Sequence, residues 1–347
     1  MMDKIKYIVV IFILLGVWSC KNEDKDFGDF DYTTCYFPFQ SPVRNLTLGK
    51  YDQGSNENDN NHRFEIGVIL GGVYSNNVNR SVYYEVDNSL LDNVDLVQAL
   101  PGSYYEILNA SPITIPSGDT KGIMTIQLTE AFFDDPLSIS PEKGMVNYVI
   151  PVAITEVANI DSVLTGVVAS GVANPSLTNA EDWEVLPKNY TLFGIKYINK
   201  YHGHYLRRGA DVMNNGAETV ETVYRDEYVE RDELVLVTTS AKNKVTLTNR
   251  VRRGDLASPA DVVMELSFDD NNECVISSAV GDNYNVSGTG KLVGNGDSWG
   301  GKERDVIYLD YNYLDATNNE THEVKDTLVI RDRDVVFEEF TITQKPL

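Results

Sequence analysis

The chain has 347 residues, 52 acids against 29 Lys and Arg, and a formal charge of -23. That acidity argues against binding nucleic acid, whose phosphates need basic neutralisation. It argues equally against an anionic polysaccharide, unless a local basic patch such as "VRRGD" at 251–255 compensates. Neutral ligands or cations are the easier partners, and an acidic surface also keeps a secreted protein soluble. With Cys20 set aside only Cys35 and Cys274 remain, too few for a disulfide framework or a cysteine metal site.

In chain order, Lys4 and Lys6 precede an apolar segment at 7–18. It is shorter than the roughly 20 residues needed to span a bilayer and fits the hydrophobic region of an export signal. "VWSC" at 17–20 resembles a bacterial lipobox, with Trp18 departing from the usual small or aliphatic residue. The resemblance implies lipidation at Cys20; the alternative is an ordinary signal cleaved near Ser19. The acidic run "KNEDKDFGDFD" at 21–31 reads as a tether with too little apolar surface for a core. It resembles the signal that carries lipoproteins of Bacteroidota to the outer face of the outer membrane.

Runs at 62–74, 80–86, 122–129 and 146–155 are rich in β-branched and aromatic residues and several alternate, as strands do. The stretch 88–100, "NSLLDNVDLVQAL", is the best short-helix candidate. Short strands separated by turns predict a sandwich of immunoglobulin-like size. After a segment rich in small and polar residues at 169–189, strands lengthen: 201–212, 231–240, 243–251, 261–268, 273–280, 283–293, 304–315 and 322–333. Their hairpin connectors predict an up-and-down barrel, because closure removes exposed edges. The fold class is therefore all-β: an N-terminal immunoglobulin-like β-sandwich followed by a lipocalin-like antiparallel β-barrel. The expected boundaries are a signal peptide at 1–19, a tether at 20–34, the sandwich at 35–170, a linker at 171–190 and the barrel at 191–347.

Among candidate sites, His202 and His204 in "YHGHY" lack an evident third zinc ligand and read as strand residues. "NENDNN" at 56–61 lacks the glycine and terminal glutamate of an EF-hand loop and reads as a solvated hairpin tip. "GNGDSWGGKERD" at 294–305 does not follow the order of a phosphate loop and reads as a mobile loop carrying Trp299. Aromatic residues are the more informative signal. Sugars offer flat C–H faces edged by hydroxyls, which proteins meet with Trp and Tyr rings and with Asp, Asn or Arg. In "VIYLDYNYLD" at 306–315, Tyr308, Asp310 and Asn312 share one face, with Leu309, Tyr311 and Tyr313 on the other. Trp299, Tyr308 and Asp310 are the candidate sugar platform if the loop folds over the barrel mouth. Trp183 is an alternative, as a wedge between domains. The sequence contains none of the serine-hydrolase, zincin or Cys/His patterns of catalysis, so a non-catalytic role without cofactor or metal is expected.

The lipobox, the acidic tether, "YFPFQSPVRNLTLG" at 36–49, "KYHGHYLRRG" at 200–209, "DELVLVTTS" at 232–240 and "DTLVIRDR" at 326–333 together resemble a family. These are Bacteroidota surface lipoproteins with an immunoglobulin-like N-terminal and a lipocalin-like C-terminal domain, encoded in polysaccharide-utilisation loci. The resemblance implies capture of a neutral glycan beside an outer-membrane transporter complex. The second reading is a structural or adhesive surface protein that binds other proteins through a sheet edge.

Overall fold

The computed structural model describes residues 28, 30–140, 142–253 and 256–346, and the side chains among them except those of 253 and 256–259. The predicted signal segment and Cys20 lie outside the described residues. The fold is all-β, with a sandwich of two sheets and a closed eight-stranded antiparallel barrel.

The sandwich is built from β1 (Thr34–Tyr36), β2 (Pro42–Thr47), β3 (Arg63–Gly71), β4 (Arg80–Val86), β5 (Ile113–Ile115), β6 (Lys121–Leu128), β7 (Tyr148–Ala158) and β8 (Tyr190–Ile198). One sheet runs Ser162–Val163, β1, β3, β6, Tyr105–Ile107; the other runs Glu338–Glu339, β2, β8, β7, β4, β5. Period-two patterning explains the first sheet: Phe64, Ile66, Val68 and Leu70 on β3, with Met124, Ile126 and Leu128 on β6, all face the core. There they meet Val82, Ile150, Val152, Ile195 and Tyr197 of the second sheet. Burying each such side chain contributes about 1.5–3 kcal/mol. β7 as far as Ile154 is apolar, and β8 is largely so apart from Thr191 and Lys196, because both faces are covered. Val149 and Leu192 turn away from the sandwich core into a second cluster with Val43 and Phe340.

Three expectations need correction. The barrel does not begin at 191: Tyr190–Ile198 pairs in parallel with β2 and antiparallel with β7, inside the sandwich. Nor does it run to 347, since Glu338–Glu339 pairs with β2 and Thr343–Gln344 with Val94–Asp95. The predicted helix at 88–100 is one 3-10 turn, Asn88–Leu91, followed by two short strands. Asp87 caps that turn through the Ser89 N–H, and Leu96 then takes a φ of 67°, which ends any helical continuation.

The barrel sheet comprises β9 (Gly203–Asn214), β10 (Thr219–Tyr224), β11 (Glu233–Ala241), β12 (Lys244–Arg253), β13 (Leu256–Phe268), β14 (Glu273–Ser278), β15 (Ser287–Trp299), β16 (Lys302–Asp315) and β17 (Glu320–Asp332), of which all but β10 form the eight-stranded closed barrel. Each pairs with the next, except that β10 pairs only with the end of β9 and β11 takes up the rest. Pairing of β9 with β17, from His204↔Asp332 to Asn214↔Thr321, closes the barrel. Gly209 on β9 permits the close approach, because a Cβ there would lie 2.2 Å from the Lys325 carbonyl oxygen.

The barrel interior is apolar through Val237, Leu247, Met264, Leu266, Ile307 and Leu328, but it also encloses charge. Asp326 accepts from Arg207 Nε (3.0 Å), Tyr311 (3.0 Å), Asn249 (3.3 Å) and Tyr224 (2.5 Å). Glu233 joins Arg207 to Arg252, and both guanidinium groups lie over the Tyr224 ring. Burial opposes the Arg207 charge, yet Asp326 and the surrounding phenols hold its pKa well above the usual value. Burial and Asp326 likewise push the Tyr224 phenol far up, despite Arg207.

At the domain junction the Arg333 guanidinium donates to four carbonyls: Asn199 (2.6 Å), His202 (2.7 Å), Lys50 (2.7 Å) and Leu48 (3.0 Å). Beside it His202 is buried, and its Nδ1 accepts the Thr239 N–H at 3.1 Å. Burial first, and the Arg333 charge second, lower the His202 pKa to about 4. The unfolded chain, with an ordinary imidazole, therefore takes up the proton first on acidification. This stabilisation is complete above about pH 6.5 and fades as pH falls towards 4, by up to about 3 kcal/mol. Urea midpoints measured at pH 7 and pH 4.5 should thus differ less in His202→Gln than in the parent; equal pH slopes would refute the assignment.

Candidate functional site

Trp299 stands at the tip of the β15–β16 hairpin, not on a mobile loop. Gly300 and Gly301, with φ of 60° and 72°, supply the two left-handed residues that a two-residue hairpin turn needs. The indole packs against Leu206, Val306 and Val329 on the outer wall of the barrel. Its Nε1 donates to the Ile330 carbonyl at 3.0 Å, and the Arg304 guanidinium lies 4.3 Å from the ring centre.

This placement puts Trp299 at the junction with the sandwich, where a cleft of about 260 Å³ opens between the barrel and residues 50–53. Tyr51 and Trp299 line it, and two ion pairs cross it: Arg304–Asp52 at 3.2 Å and Lys50–Asp305 at 3.4 Å. Tyr51 also lines a neighbouring slot of about 490 Å³ that opens between the two sheets of the sandwich. Phe39, Phe193 and Phe337 form part of its wall. Phe39 and Phe337 have ring centres 4.9 Å apart and are 42% and 66% exposed, whereas Phe193 stacks on Phe64. Tyr51 thus lines both hollows, with Trp299 in one and Phe39 and Phe337 in the other. Sites of this kind favour domain interfaces.

Tyr308 and Asp310 lie together but apart from Trp299. They line a shallow hollow of about 800 Å³ on the outer barrel wall, where Asp310 pairs with Lys325 at 3.4 Å. The alternation that separates them from the inward Leu309, Tyr311 and Tyr313 is as the sequence predicted. The proposed triple platform is thus split between two hollows. Trp183 donates its Nε1 to the Ser176 carbonyl within the segment before β8.

The other candidates resolve as structural groups. His204 lies near Asp332 and Asp334, the single His/Cys/acid cluster of possible metal-binding shape among the described residues. Its members are already paired, His204 with Asp332 at 2.8 Å and Asp334 with Lys143 at 2.6 Å. "NENDNN" is a short helix, Glu57–Asn60, rather than a hairpin tip; Asp59 is buried and accepts from the Thr47 N–H at 2.8 Å and from Arg44. In "VRRGD", Val251 is buried and Arg252 pairs with Glu233. The sequence reading missed Phe39, Tyr51, Arg304 and Phe337, although "YFPFQ" at 36–40 places two aromatics around a proline next to a strand, which favours an exposed ring.

Comparison with known proteins places this architecture. Residues 30–161 match a family described as an N-terminal domain, and residues 200–334 match a domain of unknown function, DUF5627. A structure of unknown function from Bacteroides ovatus is 37% identical, with a TM-score of 0.82, over 91% of this chain and 100% of that one. A second protein of unknown function from Bacteroides ovatus is 13% identical over 87% of this chain and 94% of its own, with a TM-score of 0.40. An auxiliary nutrient binding protein from Bacteroides thetaiotaomicron VPI-5482 is 15% identical over 85% of this chain and 95% of its own, with a TM-score of 0.38. No curated protein matches the chain.

Proposed function

Because the chain belongs to the family of the Bacteroides ovatus protein that it matches along that protein's full length, we propose one role for the two-domain unit as a whole. It is a non-catalytic lipoprotein, anchored through Cys20 to the outer membrane and facing outward, that captures a glycan for an uptake system. The observation that carries this reading is the run of aromatic side chains at the domain junction, where Tyr51 and Trp299 line one cleft and Phe39 and Phe337 the adjoining slot. Stacking on such rings, with polar groups at their edges, suits a carbohydrate chain. Asp52 and Asp305, the acids that cross the cleft, are each engaged in an ion pair, with Arg304 and with Lys50.

The test is a titration of the purified protein with plant, host and fungal polysaccharides, followed by tryptophan fluorescence and gel retardation. Trp299→Ala and Tyr51→Ala should each weaken saturable binding about tenfold, the worth of one aromatic contact. Retained affinity in both variants would move the site, first to the Tyr308 hollow. Absence of binding across the panel would favour the adhesive reading.

A further inference from the structure

Charge at the junction runs against that of the whole chain. The cleft is lined by Lys50, Lys200, Lys302, Arg304, Arg331 and Arg333 against three carboxylates, Asp52, Asp305 and Asp332. Those carboxylates are taken up by Arg304, Lys50 and Arg331, at 3.2, 3.4 and 3.8 Å. The remaining three cations have no carboxylate partner among the described residues. Lys200 donates to the Asn272 side-chain oxygen at 2.6 Å, Arg333 is satisfied by carbonyls alone, and Lys302 is exposed at the hairpin tip beside Trp299. Arg304 adds a specific vacancy: its side chain is 11% exposed, and its Nε–H is buried without an acceptor. A buried donor left unpaired is costly, so an acceptor that reaches it would be favoured there.

We propose that this cleft binds an acidic sugar, a ring carrying a carboxylate or a sulfate ester. The ring lies along Tyr51 and Trp299, and its anionic group meets Arg304, Lys200 and Lys302. This deepens the glycan reading above and rests on it. The chain's overall charge of -23 does not forbid such a ligand. At physiological salt, charges are screened beyond about 8 Å, so the local excess of cations governs what is bound inside the cleft. The choice among sugars then follows from the anion: paired and charge-assisted hydrogen bonds to guanidinium and ammonium groups are stronger than those to hydroxyls.

The full mature protein would be titrated with four probes: polygalacturonate, its fully methyl-esterified form, chondroitin sulfate and chemically desulfated chondroitin. The parent should bind polygalacturonate or chondroitin sulfate at least about tenfold more tightly than the matching ester or desulfated chain, and which pair discriminates separates a carboxylate from a sulfate ligand. In Lys200→Ala/Lys302→Ala, two surface changes that spare the core, that preference should fall about tenfold while melting temperature is kept. Equal binding of charged and neutralised chains, or a preference unchanged in the double variant, would overturn the acidic-sugar assignment and leave the glycan reading in place. Binding to none of these probes, together with binding to a neutral polysaccharide of the wider panel, would do the same. Binding to no polysaccharide at all would overturn both.

Discussion

Asp326→Ala should destabilise the barrel by about 3–5 kcal/mol, the range expected when one partner of a buried ion pair is removed and the other charge remains. Asp326 is 2% exposed and gathers hydrogen bonds from Arg207, Tyr224, Tyr311 and Asn249. Without it, Arg207 would keep only Glu233, at 3.2 Å and partly exposed, as a counter-charge. The Tyr224 and Tyr311 phenols would also lose their acceptor, Tyr311 in a buried site. Urea unfolding of the parent and variant measures the difference, and a loss below about 1 kcal/mol would show that the network is not the buried unit described. Arg207→Met combined with Asp326→Leu should recover much of the loss, because an apolar pair of similar volume avoids the desolvation of both charges.

The second large effect is expected at Arg333. Replacing it with methionine keeps the aliphatic stem and removes every donor that holds the carbonyls of Leu48 and Lys50 in the sandwich to those of Asn199 and His202 at the entrance to the barrel. Hydrogen bonds from a charged donor are worth about 1.5–3 kcal/mol each, and buried carbonyls left without a donor add to the cost. Arg333→Met should therefore lose at least about 3 kcal/mol and split the unfolding transition into two, one for each domain. Arg333→Lys should rescue little, since a single ammonium cannot span carbonyls that the planar fork reaches together. Calorimetry reads both outcomes, and a single transition at the parental temperature in the methionine variant would refute the coupling.

Local chemistry made much of the fold legible. β3 and β6 alternate within runs that the sequence marked as strands, and on β16 Leu309, Tyr311 and Tyr313 face inward as the pattern named. Gly300–Gly301 marks a hairpin, although the surrounding glycines obscured it as a mobile loop. What could not be read is allegiance. The run 190–198 is largely apolar on both faces, Thr191 and Lys196 excepted, and carries no sign of which sheet will take it, and 338–344 is too short to reveal any pattern. The site was hidden for a related reason. Asp52 and Arg304 lie 252 residues apart, and only the closed topology brings the Tyr51 segment to Trp299. Phe337 lies beyond 322–333, the last run the sequence marked as a strand. Tyr308 and Asp310 were found together because neighbours on one strand face need no tertiary information.

The sandwich is interrupted: β8 precedes the barrel, Glu338–Glu339 follows it, and both lie in the same sheet. The barrel is thus an insertion whose two ends meet where Arg333 reaches the Asn199 carbonyl. Were the barrel unfolded, the sandwich could recruit its outer strand only by closing a loop on the order of 100 residues, an entropic cost of roughly 4 kcal/mol. A folded barrel has already brought those ends together. The folded barrel therefore spares the Glu338–Glu339 strand that cost, and damage inside the barrel should be felt as a loosening of this edge strand in the neighbouring domain.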